Sequence, residues 1–529
     1  MNHEVLNQPP PLADYNLFAS DRALREAVAR EGGGWACGTL EELGRRLGTA
    51  EVMEWAALAN EYPPVLHTHD RYGRRRDEVQ FHPAWHNLMR LAMEYGIHNL
   101  PWAQQRAGAH VARAALVMLA LENEAGHVCP ISMTYSAVPV LRLNPELAAE
   151  WEPRIHATGY DPSFRPAREK SGVLIGMAMT EKQGGSDVRA NITRAAPAGD
   201  GAYLLEGHKW FCSAPMSDAF LVLAQAPGGL SCFFLPRWTP DGRCNRIEIQ
   251  RLKSKLGNRS NASAEVEFHG AWARLVGEEG RGVATIIDML QHTRLDCTLG
   301  STALMRRALA EALHHCRYRQ AFGRRLIEQP LMRNVLADLA IESEAATVLA
   351  LRLARAFDEH DTAFTRLAVA VGKYWTCRRA PMHVAEALEC LGGNGYVEES
   401  VMPRLYRESP VNSIWEGSGN VIVLDALRTI KKEPESLEQL IAEIRLACDP
   451  RIEKAIGGIG AEVAESEGRR AIERLATALQ ASLLIRFSHP AVADAFCASR
   501  LEGDGGRAFG TLGKSVAVDD VIARAGLES

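Results

Sequence analysis

Met177, Ala178, Met179, Thr180, Glu181, Lys182, Gln183, Gly184, Gly185, Ser186 and Asp187 follow one another at the point where the chain changes its periodicity. Upstream, over about residues 22–147, apolar side chains recur at helical spacing, as in Leu40, Leu43 and Leu47, and 111–121 is rich in alanine and leucine. From Val173 the segments are short and apolar or alternating: 173–179, 203–206, 220–224, 230–235, 247–249 and 264–268, with Gly199, Asp200, Gly201, Asp241 and Gly242 among the turns. That pattern predicts a compact antiparallel β domain ending near Gly280, Arg281 and Gly282. The opening stretch leaves the first of these strands and turns through two glycines. Its residues alone leave two readings open, a plain β-turn or a turn whose amides and Thr180 and Ser186 hydroxyls face a ligand.

Beyond the strands the helical period returns over 283–299, 303–319, 331–357 and 364–391, lengths that suit a four-helix bundle. Lys431, Lys432, Glu433, Pro434 and Glu435 open a tail that reads as helical through Leu484. Around 503–513 the tail is rich in glycine, as a turn or mobile loop would be. Helices, then strands, then helices imply an α+β fold, mostly α, and exclude the alternating units of a dinucleotide-binding sheet. No G-x-G-x-x-G follows a predicted strand, and Gly457, Gly458 and Gly460 read as a helix break. The expected domains are 1–172 (helical), 173–280 (β), 281–430 (bundle) and 431–529 (extra helical domain).

A chain of 529 residues exceeds one ordinary core. Its net charge of -5 offers no global attraction to nucleic acid or an acidic membrane. The 11 cysteines form no C-x-x-C pair, which points to free thiols in a reducing compartment. The N-terminus lacks the basic start and apolar run of a signal peptide, and no segment reaches membrane-spanning length, so a cytoplasmic location is expected. His67 and His69 beside Arg74, Arg75 and Arg76 have no third ligand at a convincing spacing; they read as a solvated loop, with no metal expected.

Four separated segments carry a resemblance. Met177 to Asp187 is followed by Lys209, Trp210, Phe211, Cys212 and Ser213; then come Arg319, Gln320, Ala321, Phe322 and Gly323; Gly392, Gly393, Asn394, Gly395 and Tyr396; and Ile414, Trp415, Glu416, Gly417, Ser418, Gly419 and Asn420. Taken alone, Glu416 in a glycine-rich loop reads as a solvated turn residue. In this order the segments resemble the acyl-CoA dehydrogenase family, over roughly 9–428. Together with Lys255 to Ser263 and Pro410 to Asn420, they resemble most its AidB-like subgroup.

The resemblance implies FAD, with Met177, Thr180, Gly185, Ser186, Phe211, Cys212, Ser213, Arg319, Gly392, Gly393, Trp415, Ser418 and Asn420 as cofactor contacts. Phe211 would lie against the ring system and Ser213 would donate near its reactive nitrogen; Arg319 would reach cofactor phosphates across a subunit boundary, a task for a planar guanidinium. Serine at 213, where many relatives have threonine, keeps the donor. Ala321 and Pro330 depart from the usual hydroxyl and glutamine, so some adenosine-side contacts must be made differently. Glu416 would be the base that removes an α-proton from an acyl-CoA thioester, with hydride passing to the flavin. In some relatives the base instead precedes an arginine on a bundle helix; here Thr293 precedes Arg294, threonine cannot serve, and Arg294 remains as a substrate contact.

The resemblance also implies a homotetramer, an electron-transfer flavoprotein as partner, and protection of DNA from alkylation, with the tail binding double-stranded DNA. The alternative is a DNA-binding protective flavoprotein whose dehydrogenase site is vestigial. Residues 431–529 hold 13 Lys and Arg against 16 Asp and Glu, whereas phosphate binding needs a basic face. Arg469, Arg470 and Arg474 fall at helical spacing and, with Arg507, are the DNA-contact candidates; a solvated helix face explains the helical three more readily.

Overall fold

The computed structural model describes residues 3–460 and 463–527. They fall into two compact units, neither contiguous along the chain. One comprises Met1–Met53, Arg106–Asn123 and Arg294–Ser529; the other comprises Glu54–Gln105 and Glu124–Thr293.

The second unit contains the β structure. After a hairpin of β1 (Val65–His69) and β2 (Arg75–Gln80) come β3 (Ile175–Ala178), β4 (Arg194–Gly199), β5 (Ala202–Ser213), β6 (Ala219–Ala226), β7 (Gly229–Pro236), β8 (Ile247–Leu252) and β9 (Ser263–Val276). Pairings of β6 with β4, β4 with β5, β5 with β9, β9 with β7 and β7 with β6 close a circuit, and β3 and β8 attach to it. Closing the circuit leaves few strand edges open, which suits a small sheet with a filled interior. The expectation of an antiparallel domain is corrected at two places: β3 and β4 each pair parallel with β6. The reading of His67 and His69 as loop is also corrected, since both lie on the β1–β2 hairpin and His67 Nε2 meets Gln80 Oε1 at 2.8 Å. Five half-exposed residues after Pro63 and Pro64 carry too short an alternation to be recognised as a strand.

Inside the circuit lie Leu205, Phe220, Phe233, Val266 and Phe268; a second cluster joins the other sheet face to helices Val128–Leu141 and Pro145–Ile155. The latter helix starts where Asn144 accepts from the Leu147 amide at 3.2 Å and Pro145 presets the first turn. Trp151 then meets Phe234 edge to face, with centroids 4.8 Å apart.

In the first unit, helix Pro330–Asp358 is buried on all sides from Leu336 to Ala354, including Asp338, Glu342 and Glu344. Such a helix needs cover all round, and its buried acids need cations. Helix Thr362–Cys390 supplies Arg379, which holds both Glu342 oxygens at 3.0 and 2.9 Å. The tail supplies Arg500, at 2.5 Å from Asp338 and 2.9 Å from Glu342, and Arg524, bonded to Glu344. Burial pushes the Glu342 carboxyl up, and the Arg379 and Arg500 guanidiniums outweigh it, bringing it down to about 2.

The glycine-rich stretch read as a turn or mobile loop is fixed at several points: the Gly510 amide donates to Asp338, and Asn334 and Leu512 exchange two hydrogen bonds. The two helices expected over 283–299 and 303–319 are one, Gly282–Tyr318. Gly300, Ser301 and Thr302 do not interrupt it, and Thr298 and Thr302 turn their hydroxyls back onto carbonyls one turn earlier. Among the described residues no helix is long and apolar enough to cross a membrane.

Candidate active site

In the β unit, the 177–187 turn and the end of β5 are joined by a buried ion pair. Lys209 Nζ donates to Glu181 Oε1 at 2.7 Å and to the Leu223 carbonyl at 2.8 Å, and neither side chain of the pair is exposed. Glu181 also accepts from the Ile192 amide at 2.7 Å and the Thr193 amide at 3.2 Å. Burial pushes the Glu181 carboxyl up; Lys209 and these donors more than offset it and bring it to about 2. One further bond, from the Trp210 amide to the Thr180 carbonyl at 2.8 Å, fastens the turn to the strand.

Strand β5 carries a bulge at that place. Lys209 pairs with Val266 and Cys212 with Ala264, so Trp210 and Phe211 together oppose the single residue Glu265. The extra residue reverses the phase of the strand: Lys209 and Cys212 point into the core, while Phe211 stands 47% exposed and Ser213 half-buried. Met177, Thr180 and Gly185 are half-buried, and Ser186 is exposed. Cys212, named among the cofactor contacts, turns its side chain away from the face that presents Phe211. Its thiol lies in the sheet interior, where burial drives it to about 12. Lys253 Nζ, paired with Glu265 at 2.8 Å, lies 4.6 Å from the Phe211 ring centroid.

In the bundle unit, Glu416 occupies the turn before helix Gly419–Lys432. Its φ of +59° is in the left-handed region, uncommon for a residue with a Cβ, and Gly417 follows at +113°. Three successive carbonyls of this turn accept from two buried cations. Lys373 Nζ donates to the Trp415 carbonyl at 2.9 Å and to that of Gly417, and Arg294 Nε donates to that of Glu416 at 3.1 Å. Trp415 is steadied by its indole N–H, which donates to Asn412 Oδ1 at 3.0 Å. Arg294 also pairs with Asp425 at 2.7 Å, and Arg366 holds both oxygens of the same carboxylate. Arg294, expected to contact substrate, thus has its Nε and Nη1 donors engaged within the fold.

Arg319 lies just beyond helix Gly282–Tyr318 and donates to the Asn7 carbonyl at 2.7 Å. The following hairpin, Gln320–Ala321 with Arg324–Arg325, presents Phe322 at 100% exposure. Gly392, at φ +59°, and Gly393 open a short 3-10 turn, and a side chain built on either would meet nothing within 4 Å. Backbone can therefore approach a ligand there. Ser418 and Asn420 begin helix Gly419–Lys432, and Asn420 Oδ1 accepts from Arg469 at 2.8 Å. Arg474 is used within the tail, donating to the Ala455 and Gly457 carbonyls, while Arg470 and Arg507 are exposed.

The reading from sequence assigned no role to Lys373, Asp425 or Arg366, and none to the Glu181–Lys209 pair inside two of its own motifs. A signal for Lys373 was present: it is a lone cation after Val369, Ala370, Val371 and Gly372 in a helix with no charge for several positions before it.

The sequence pattern described as "Adaptive response protein AidB N-terminal domain" matches residues 7–162. "Acyl-CoA dehydrogenase, middle domain" matches 176–271, and "Acyl-CoA dehydrogenase, C-terminal domain" matches 280–431. AidB of Escherichia coli (strain K12), whose name classes it provisionally as an acyl-CoA dehydrogenase, is 48% identical over 516 residues, covering 95% of each chain. Acyl-CoA dehydrogenase family member 11 of Caenorhabditis elegans is 32% identical over 89% of this chain and 78% of its own. The solved structure of Caenorhabditis elegans ACDH-11 in complex with C11-CoA superposes with a TM-score of 0.83 at 26% identity, covering 99% of this chain and 98% of that one.

Proposed function

We infer the function of this chain from the family to which it belongs, the FAD-dependent acyl-CoA dehydrogenases in their AidB-like branch, read through the residues its fold presents. It is proposed to oxidise an acyl-CoA thioester, with the Glu416 carboxylate taking the α-proton. The observation that carries this reading is the turn bearing Glu416, half-buried and held through three carbonyls by Lys373 and Arg294. A base fixed in this way can stay within reach of one particular C–H bond. Thr293, at the alternative position on the bundle helix, offers no carboxylate.

The presented residues fit a flavin. Phe211 offers an exposed aromatic face, Ser213 a hydroxyl on the same strand, and Gly392 and Gly393 bare backbone. Phe211, Ser213, Thr180, Gly185 and Ser186 are proposed to hold the ring system, and Arg319, Gly392, Gly393, Ser418 and Asn420 the phosphate and ribose end. When bound, the flavin supplies an acceptor for the β-hydrogen as hydride. Arg294 is reassigned from substrate contact to support of the Glu416 backbone. Phe322 at 100% exposure and Leu331 at 84% support a subunit boundary, consistent with a proposed homotetramer. An electron-transfer flavoprotein is the proposed acceptor.

For the DNA-protective alternative the side chains offer little support. Arg469, although exposed, and the half-buried Arg474 each donate within the chain, Arg486, Arg500 and Arg524 bind acids, and acids outnumber cations in the tail. The tail is proposed to act first as the cover of helix Pro330–Asp358.

The test is anaerobic addition of butyryl-, isovaleryl- and undecanoyl-CoA to FAD-loaded protein. Bleaching of the flavin in the parent and its loss in Glu416→Gln are expected. Equal bleaching in Glu416→Gln refutes the base assignment.

A further inference from the structure

A buried lysine whose two hydrogen bonds both go to backbone carbonyls of one turn is an unusual use of a charge. Lys373 is 1% exposed, and the apolar run before it would accept a leucine or methionine at the same place. In an extended chain the carbonyls of residues two apart point the same way but stand about 7 Å from each other, too far for one ammonium to hold both. The left-handed Glu416 between Trp415 and Gly417 breaks the extended path, and both carbonyls reach Lys373. The ammonium and the left-handed residue are therefore one device, and the residue so constrained is the carboxylate itself.

We infer that Lys373 is a positioning residue for the Glu416 base, its ammonium holding the turn in the single conformation that sets where the carboxylate stands. This rests on the assignment of Glu416 as base and extends it to a residue that touches neither substrate nor cofactor.

Three elements of the bundle unit contribute charge around the turn. Helix Gly282–Tyr318 brings Arg294, helix Thr362–Cys390 brings Lys373 and Arg366, and helix Gly419–Lys432 brings Asp425. Three cations thus meet two carboxylates besides Glu416, since Arg366 also approaches Glu433 at 3.5 Å. On the first helix Asp296 is matched by Arg113 at 2.6 Å, and the Cys297 and Cys377 thiols are kept protonated by burial. An ammonium close to a carboxylate favours its ionised form, the form a base requires. Removal of the ammonium loosens the turn and removes one of these cations together.

The test compares the FAD-loaded parent with Lys373→Met, Lys373→Arg and Glu416→Gln. Two readouts are used: flavin reduction by undecanoyl-CoA and isovaleryl-CoA, and the infrared titration of the Glu416 carboxyl, its band identified by loss in Glu416→Gln. In Lys373→Met the flavin content and acyl-CoA affinity should match the parent. The limiting reduction rate should fall by about a hundredfold, and the Glu416 midpoint should rise by roughly one pH unit. Lys373→Arg should restore most of both. Parent rate and parent midpoint in Lys373→Met overturn the inference, as would a lowered rate with an unmoved midpoint. If Lys373→Met does not accumulate, Lys373→Gln, which keeps a neutral donor, is held to the same midpoint criterion. Glu416→Gln separates the two claims: undiminished flavin reduction in that variant removes the base assignment, while the midpoint in Lys373→Met still decides whether the ammonium governs the carboxylate.

Discussion

Replacing Lys209 by methionine removes the cation from a pair in which neither side chain is exposed, and the cost can be worked by two routes. Folding lowers the Glu181 carboxyl from 4.5 to about 2, a net of about 3 kcal/mol at 1.36 kcal/mol per unit. Lys209 shares this with the Ile192 and Thr193 donors, while burial brings the Lys209 ammonium down to about 8 and offsets part of it. Breaking a buried pair by deleting one partner costs roughly 3–5 kcal/mol, because the remaining charge keeps its desolvation penalty. Together they point to a loss of about 3 kcal/mol at neutral pH, concentrated where Lys209 ties Glu181 and the Leu223 carbonyl together.

The sign of the pH dependence follows from the same pair. With its folded value depressed, Glu181 contributes stability that is present above its unfolded value and lost as pH falls through about 2. In Lys209→Met, burial acts on the carboxyl with less opposition, so the deficit should grow as pH rises from 3 to 7. Hydrogen exchange on peptides spanning β3 to β5 measures the local opening free energy, and FAD retention reports whether the turn still binds. A Lys209→Met protein that exchanges within about 1 kcal/mol of the parent at pH 7 and keeps its flavin would refute the reasoning. So would a deficit that shrinks with rising pH. Glu181→Gln on the Lys209→Met background should recover part of the loss, as two contacting residues require.

Phe211→Ala should weaken FAD binding by about tenfold, the worth of one aromatic contact of about 1.4 kcal/mol, measured by flavin fluorescence during dialysis; unchanged affinity removes Phe211 from the site. Asp425→Asn leaves Arg294 and Arg366 without their shared carboxylate and should slow flavin reduction more than it weakens acyl-CoA binding. An effect on binding alone would count against support of the Glu416 turn. Glu122 is buried and pushed up to about 8, chiefly by burial. A raised carboxylate makes the folded state lose stability as pH climbs from 4.5 through that value, so the melting temperature of Glu122→Gln should overtake the parent between pH 5 and 9, and parallel curves refute the account. Duplex DNA should bind the whole protein only in the non-specific range of roughly 10⁻⁴ to 10⁻⁶ M at physiological salt. Tight binding by anisotropy that Arg470→Ala with Arg507→Ala abolishes would restore a nucleic-acid role for the tail.

The order of helices, strands and helices, the glycine turns and the single carboxylate at 416 were legible from sequence because each is a local matter. A change of hydrophobic period marks the start of a strand within a few residues, and a glycine pair marks a turn wherever it lies. The parallel pairings onto β6 and the β1–β2 hairpin escaped that reading, since partner choice is not encoded in a strand's own alternation.

Three features belong to tertiary structure alone. The bulge opposite Glu265 decides that Phe211 faces outward and Cys212 inward, and a shift of one residue exchanges those faces. The tail arginines could have formed a basic face, and Arg486, Arg500 and Arg524 are instead matched to Glu443, Asp338, Glu342 and Glu344. Lys373 lies 42 residues before the Trp415 carbonyl that it holds. Sequence by itself supplied the chemistry, a carboxylate on a flexible turn in a chain built like the acyl-CoA dehydrogenases. The fold supplied its direction, because a turn acquires one conformation only when charges from distant segments are buried against it.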